Sequence, residues 1–330
     1  MTSTPAFFRL RPAKLLLSQA TGIAVLTVAV VVGFAVQTGG TWISHANMAS
    51  VLQVTATIGI MALGEALVIT AREVDISVGS VFGIGALVYL GAAPTVGALA
   101  AVVAAVAAGA AIGAFNGLLV TRFKVSALIA TLGSLFIFRG LCYWLTEGFS
   151  FTAGDDLRQS AVYSLFGGGD VFGFKNSVVW LVVVAAALHL AIFATPFGNR
   201  LLATGGSEAS AVSRGVDTRR LKFVVFLIAG ALAAFAGVLE ASKIGFADGS
   251  FGRLQELDAI AACVVGGCVL TGGRCSVIGV VLATFILTGI QSFLVLNSVQ
   301  PQWFMILLGA LILAAMIFDR GVRRLALRGP

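Results

Sequence analysis

The sequence predicts an all-α polytopic membrane protein of about ten transmembrane helices, with both termini on the cytoplasmic side. Three observations carry that prediction. Hydrophobic residues make up 59% of the 330-residue chain and charged residues 11%, with a mean hydropathy of +1.04. Ten apolar runs are long enough, or nearly so, to cross a bilayer. The basic residues are also divided unequally between alternate connections. A soluble domain of this size carries about 25% charged residues, so a soluble enzyme, a disordered chain and a nucleic-acid binder are all disfavoured. The net charge of +7 and pI near 9.7 read as basic loops on the cytoplasmic face.

A helix rises about 1.5 Å per residue, so about 20 apolar residues cross the hydrocarbon. The runs are 15–36, 47–71, 75–92, 96–121, 126–146, 177–195, 221–241, 256–270, 276–296 and 302–318. The first follows Arg9, Arg11 and Lys14. It has the look of a signal peptide, yet it runs to about 20 residues with no clear cleavage site after it, and so reads as a first span entering from inside. The run at 256–270 is short enough to be a broken or re-entrant helix. The expected organisation is a cytoplasmic segment 1–14, one transmembrane domain over 15–318 and a cytoplasmic tail 319–330. Of the 21 lysines and arginines, sixteen fall in segments predicted inside and four outside, with Arg139 within a span. That bias follows the positive-inside rule.

The four cysteines lie in or beside apolar runs with no C-x-x-C pair. They read as small buried hydrophobes, with neither disulfide nor metal expected. Glycine numbers 40, well above the usual ~7%. In run 96–121, Gly97, Ala101, Ala105, Gly109, Gly113 and Gly117 recur every fourth residue. Such a ridge lets neighbouring backbones approach closely, and predicts a central helix touching several others.

Catalytic signatures are absent: the chain has no G-x-x-x-x-G-K-[ST], no H-E-x-x-H and no G-x-S-x-G. No ATP site, cofactor or metal site is therefore expected in this chain. His45 at a helix edge and His189 within a span read as structural or interfacial. Glu65 and Arg139 lie within spans. Charges at such depth face a partner or a cavity, so they are either a structural pair, or snorkelling groups, or part of a solute path. Proton coupling is the least favoured role, since a relay needs several such groups.

Several connections carry more information. In "EVDISVGS", Asp75 or Ser77 can cap the helix that follows, or take part in gating. "VVGGCVLTGGRCSVIG" holds paired glycines at 266–267 and at Gly272 and Gly273. It is either a tight turn or a broken helix beside a pathway. In the basic inside connection 196–220, Gly205 and Gly206 break one helix. Ser207 then caps a short second one that carries Glu208, and Gly215 ends it. A short exposed helix on a basic loop suits docking by a cytosolic partner, although by local physics alone an ordinary connection is the favoured reading.

Together these segments resemble the permease subunits of bacterial ABC importers for simple sugars, the ribose-type family. The resemblance is carried by "EVDISVGS" at 73–80, "FNGLLVTRFKV" at 115–125, "ATLGS" at 130–134, "GGSEASAVSRGVDTRRLK" at 205–222 and "VVGGCVLTGGRCSVIG". It covers roughly 50–320 and looks closest to the branch of rhamnose and quorum-signal autoinducer permeases. The chain departs from the pattern in "AREVD", in Cys275 where Gly is usual and in Ser207 where Asn or Asp is common. The resemblance implies an ABC importer permease fold in the bacterial inner membrane. It implies two permease subunits, identical or homologous, around one pathway. A periplasmic sugar-binding protein would deliver solute, and a cytoplasmic ABC ATPase would bind the ATP. Coupling to that ATPase falls on Gly206, Ser207, Glu208, Ala209, Ala211, Arg214 and Gly215, with Ala209 and Ala211 entering its groove. Candidates for the pathway or gate are Glu65, Asp75, Ser77, Asn116, Arg139, Gly272 and Gly273. Arg158, Lys175 and Arg253 are candidate contacts for the binding protein. The rival class is an ion-coupled secondary transporter, which would need Glu65 or His189 for coupling.

Overall fold

Each of the ten apolar runs contains a helix in the computed structural model, which describes residues 19–171, 173–300 and 302–326. These begin with α1 (Gln19–Gln37), α2 (His45–Thr70), α3 (Val78–Val96), α4 (Ala98–Thr121), α5 (Ala127–Thr146) and α6 (Asn176–Phe193). The polar connection that follows folds into α7 (Pro196–Gly206) and α8 (Glu208–Ser213). The chain continues through α9 (Thr218–Ile244), α10 (Gln255–Val265), α11 (Val277–Leu296) and α12 (Gln302–Ala326). Helices α2 to α6, α9 and α11 are long and apolar enough to cross a membrane, and α1 and α12 contain shorter apolar stretches. Arg9, Arg11, Lys14, the segment 1–14, the start of the first span and the last four residues lie outside the described residues. Helix α12 runs on to Ala326, so no helix boundary falls at 318.

The run at 256–270 takes the broken form that its length allowed, and the run at 75–92 starts later than expected. Residues 256–270 do not form a span. Helix α10 has eleven residues and gives way at Gly266 to turns that last until Ser276. At 1.5 Å per residue it is about 16 Å long, roughly half the hydrocarbon thickness. Helix α3 begins at Val78, three residues later than its apolar run, because Asp75 and Ser77 close a turn of their own.

The interior is built around α2, whose span window is 83% buried, while those of α5 and α6 are only 22% buried and form the periphery. The glycine ridge on α4 packs along α9. A Cβ on Gly109 would collide with the Gly230 carbonyl, and one on Gly113 with that of Phe226. Van der Waals contact between the two backbones replaces side-chain interdigitation there. Helix α4 is nevertheless not the central helix that its ridge predicts. Only 33% of its window is buried, with Val103, Phe115 and Leu118 exposed on the other side. Gly97 stands before the helix, with φ +84°.

At the end of the bundle away from α8, β1 (Phe151–Thr152) pairs antiparallel with β4 (Phe246–Ala247), and β2 (Asp170–Val171) with β3 (Phe174–Lys175). The first pair ties the connection after α5 to the one after α9.

Candidate functional site

Three groups of polar residues stand out in an otherwise apolar bundle. The first surrounds the break between α2 and α3. After Thr70 the chain turns at Arg72 (φ 71°) and folds back along α2. The backbone N–H of Asp75 then donates to Glu65 Oε1 at 3.0 Å. Glu65 lies five residues from the end of α2, so this non-helical segment reaches about 8 Å into the bundle. Its polar groups must be satisfied within the protein, and most are, although Glu65 Oε2 is buried without a partner. Asp75 Oδ1 accepts from the N–H and Oγ of Ser77 at 2.8 and 2.6 Å. Asn116 Nδ2 donates to Ser77 Oγ at 2.8 Å, with Asp75 Oδ2 at 3.5 Å. Ser134 Oγ donates to Asn116 Oδ1, and Ile76 N–H donates to Thr131 Oγ1 at 3.3 Å.

Four candidates from separate stretches of sequence, Glu65, Asp75, Ser77 and Asn116, therefore meet in one buried network. Thr131 and Ser134 complete it without having been anticipated, for a small hydroxyl in a helix carries no pattern of its own. Ser77 stands at the N-cap position of α3, but its side chain makes no cap bond. Asp75 braces the preceding turn instead.

The second group is centred on Arg139. It does not pair with Glu65, which corrects that option. Arg139 lies twelve residues into α5, about 18 Å from one end and about 10 Å from the other. Its guanidinium donates to three carbonyls: Phe251 at 2.6 Å, Gly79 at 3.0 Å and Gly249 at 3.2 Å. Residues 248–254 thus dip from the end opposite α8 down to the depth of Arg139. There they meet the first turn of α3. The rings of Phe82 and Phe251 stack at 5.5 Å. Helix α10 starts at this depth and runs toward the α8 end.

The third group forms the α8 end. Helix α7 continues through Gly205 and Gly206 and stops at Ser207, so those glycines do not break it. What they provide is close approach. A Cβ on Gly205 would strike the Thr70 carbonyl and Gly273, and Gly273 N–H donates to Thr70 O at 3.0 Å. Gly272 and Gly273 (φ 82° and 80°) therefore belong to this end and not to the buried network.

Ser207 caps α8 by accepting from Ser210 N–H at 3.3 Å, and Gly215 (φ 80°) follows the helix. Ala209, Ser210, Val212, Ser213 and Arg214 are exposed, whereas Ala211 is 2% exposed. Ala211 packs inward and cannot enter a partner's groove, which corrects that assignment.

Lys222, in the first turns of α9, fastens α8 to the rest. Its Nζ lies 2.8 Å from Glu73 Oε1 and 2.8 Å from Glu208 Oε2. The hydrogen bond from Lys222 holds the Glu208 carboxyl below its ordinary 4.5. Glu73, Lys124, Ser126, Glu208, Arg219 and Lys222 line a cavity of about 260 Å³ beside it. In the sequence, Lys222 is one more basic residue at a helix end, and nothing local marks it as a bridge.

The candidate contacts for a binding protein separate. Arg158 is exposed but committed to the Ala153 and Gly245 carbonyls at 2.9 and 3.4 Å. Lys175 donates to Gly168 O at 3.3 Å, with Asp170 at 4.0 Å. Arg253 is exposed, but it stands on the dipping segment beside Arg139's partners instead of at the outer surface.

Residues 47–316 match the family model described as branched-chain amino acid transport system / permease component. The autoinducer 2 import system permease protein of Escherichia coli O9:H4 (strain HS) is 36% identical over 269 residues, covering 80% of this chain and 76% of that protein. The protein of that name from Photorhabdus laumondii is 35% identical over 269 residues, with 80% and 78% covered. The one from Yersinia pestis (strain Pestoides F) is 35% identical over 268 residues, with 80% and 74% covered. No solved structure matches.

Proposed function

This chain belongs to the branched-chain amino acid transport system / permease component family, and from that premise we propose that it is the membrane-spanning subunit of an ATP-driven ABC importer. It is a multi-pass inner-membrane protein. Its solute, on this proposal, is a monosaccharide or related polyol-like compound moving from periplasm to cytoplasm. The relatives are named for the import of autoinducer 2, which supports a small solute of that kind. The α8 end is cytoplasmic and both termini are inside, in keeping with the basic residues gathered there.

The observation that carries the proposal is α8 itself. A six-residue capped helix projects Ala209, Ser210 and Val212 outward while Glu208 anchors it, through Lys222, to the α2–α3 connection. A partner pressing on α8 can thereby move the segment that holds Asp75. Among its partners would be a cytoplasmic ATPase, a second permease and a periplasmic binding protein. With α8 as the dock, Ala209→Trp abolishes solute-stimulated ATP hydrolysis in the assembled complex without preventing insertion. Wild-type transport by that variant would contradict the assignment.

The buried carboxylates Glu65, Asp75, Glu240 and Glu256 are a feature that favours an ion-coupled carrier. Uptake into vesicles that lack the ATPase but carry an ion gradient decides between the two.

A further inference from the structure

We propose that the face of α10 carrying Arg253, Leu254, Leu257 and Asp258 lines the solute pathway opposite a second permease subunit, and that Arg253 and Asp258 hydrogen-bond the solute's hydroxyl groups. This rests on the importer reading above. Arg253 stands just before α10 and follows Gly252, on which a Cβ would lie 2.5 Å from Gly79 O. From there the eleven residues of α10 descend about 16 Å. They end at the turns in which Gly273 N–H donates to Thr70 O, at the end of α2. From the opposite side, Arg139 lies about 10 Å inside the far end of α5 and holds the carbonyls of Gly249 and Phe251. Both routes put Arg253 near the middle of a hydrocarbon layer about 30 Å thick.

At that depth Arg253, Leu254 and Leu257 are nonetheless exposed, and Asp258 is half-buried. Among the described residues, neither the Arg253 nor the Asp258 side chain makes a hydrogen bond or a salt bridge. The Glu256 carboxyl is near enough to feel the Arg253 charge, but it turns inward against Gly79. An arginine is too short to snorkel from the bilayer centre to either interface, so this face meets water or protein and not lipid. The exposed residues on the peripheral helices differ in kind: Phe136 and Ile137 on α5, and Val182 and Val183 on α6, are all apolar. A charged face that is open in the single chain and closed to lipid is the place for the second subunit. Because the pathway runs between the two, the charges on that face border it.

The two charges identify the solute's chemistry. A guanidinium offers only donors and a carboxylate only acceptors, whereas a hydroxyl both donates and accepts. Arg253 and Asp258 together therefore serve both halves of a hydroxyl group. Being opposite in sign, they leave no net charge for the solute to balance, which suits a neutral polyol better than an ion. The corner between the dipping segment and α10 is strained. Leu254 has φ 68°, a conformation that bulky residues rarely adopt. Strain of this kind persists where the surroundings over-determine it, and it gathers at sites that bind or switch.

The test uses the whole complex in proteoliposomes, in a background with the four cysteines replaced that takes up a probe solute chosen from autoinducer 2, L-rhamnose and D-ribose. Leu257→Cys is treated with a small charged thiol reagent during turnover with ATP, beside Val183→Cys, which is exposed on peripheral α6. Leu257→Cys should be labelled, and more slowly when the probe is present, while Val183→Cys should not react. Arg253→Gln and Asp258→Asn should each raise the half-saturating probe concentration about tenfold, the loss of one hydrogen bond to a charged group, with a smaller effect on the rate at saturation. Labelling of Leu257→Cys no faster than that of Val183→Cys would put the face in lipid or in a dry interface. Labelling indifferent to the probe would put it in water but off the pathway. Either result, or unchanged half-saturating concentrations in both charge variants, would overturn the proposal, and the labelling alone decides if those variants fail to insert. Uptake that proceeds without ATP would overturn the importer assignment instead, and protection of Leu257→Cys by the probe would still decide the pathway.

Discussion

Replacing Lys222 with Met removes the cation that joins Glu73 to Glu208 while keeping most of the apolar stem. The two arms differ in burial. Side-chain exposure is 11% for Lys222, 17% for Glu73 and 44% for Glu208. Breaking the Glu73 arm strands a mostly buried carboxylate, at about 3 kcal/mol, the low end for a broken buried pair. The Glu208 arm is nearly half solvated and contributes about 0.5 kcal/mol. A double-mutant cycle in thermal unfolding of the purified protein separates them. Lys222 and Glu73→Gln should couple by about 2–3 kcal/mol, and Lys222 and Glu208→Gln by under about 1 kcal/mol.

The weak arm has the functional consequence, for it joins α8 to the Lys222–Glu73 pair, beside the Thr218 hydroxyl that also donates to Glu208 at 3.1 Å. Glu208→Gln should therefore leave unfolding almost unchanged and still reduce solute-stimulated ATP hydrolysis. Acid should act in the same way. The folded-state pKa of Glu208 lies below 4.5, so its contribution is complete above 4.5 and is lost as the pH falls through the lowered value. In Lys222→Met that acid-range dependence should weaken, with the Thr218 hydrogen bond and the Lys124 charge left to act on Glu208. A Lys222→Met protein as stable as wild type, or a Glu73 coupling no larger than that of Glu208, would refute the bridging role.

Gly113→Ala should force α4 from α9 and cost about 1–3 kcal/mol, as overpacking does. Gly140→Ala, in open space on α5, should be neutral in the same thermal assay. Asn116→Ala removes the acceptor of Ser134 and the donor to Ser77, and should destabilise by about 1–3 kcal/mol. A midpoint equal to wild type would show that the network is dispensable. Single cysteines at positions 160 and 210, in the background lacking the native four, should react with an impermeant reagent from the periplasmic and cytoplasmic sides respectively.

Much of this protein is legible in local pattern. Runs of apolar residues mark the helices because each span must satisfy its own backbone in lipid. The four-residue glycine ridge marks the contact face of α4, since the helical repeat puts those positions on one side. Ser207 with Glu208 marks the start of α8, because capping is settled within one turn. In all these cases the physics involves residues a few positions apart. Partnership across the chain is a different matter. Glu65 and Arg139 look like a pair in the sequence, being opposite charges within spans. In the structure Glu65 takes the Asp75 N–H and Arg139 takes carbonyls 60 and 112 positions away. Lys222 finds Glu73 149 positions earlier. The shortness of the fifteen-residue apolar stretch at 256–270 shows that it need not cross whole, but not where it begins, because hydropathy records that a segment is out of water but not how deep it starts. That depth is set by Arg139 on a different helix, and only the packed bundle brings the two together.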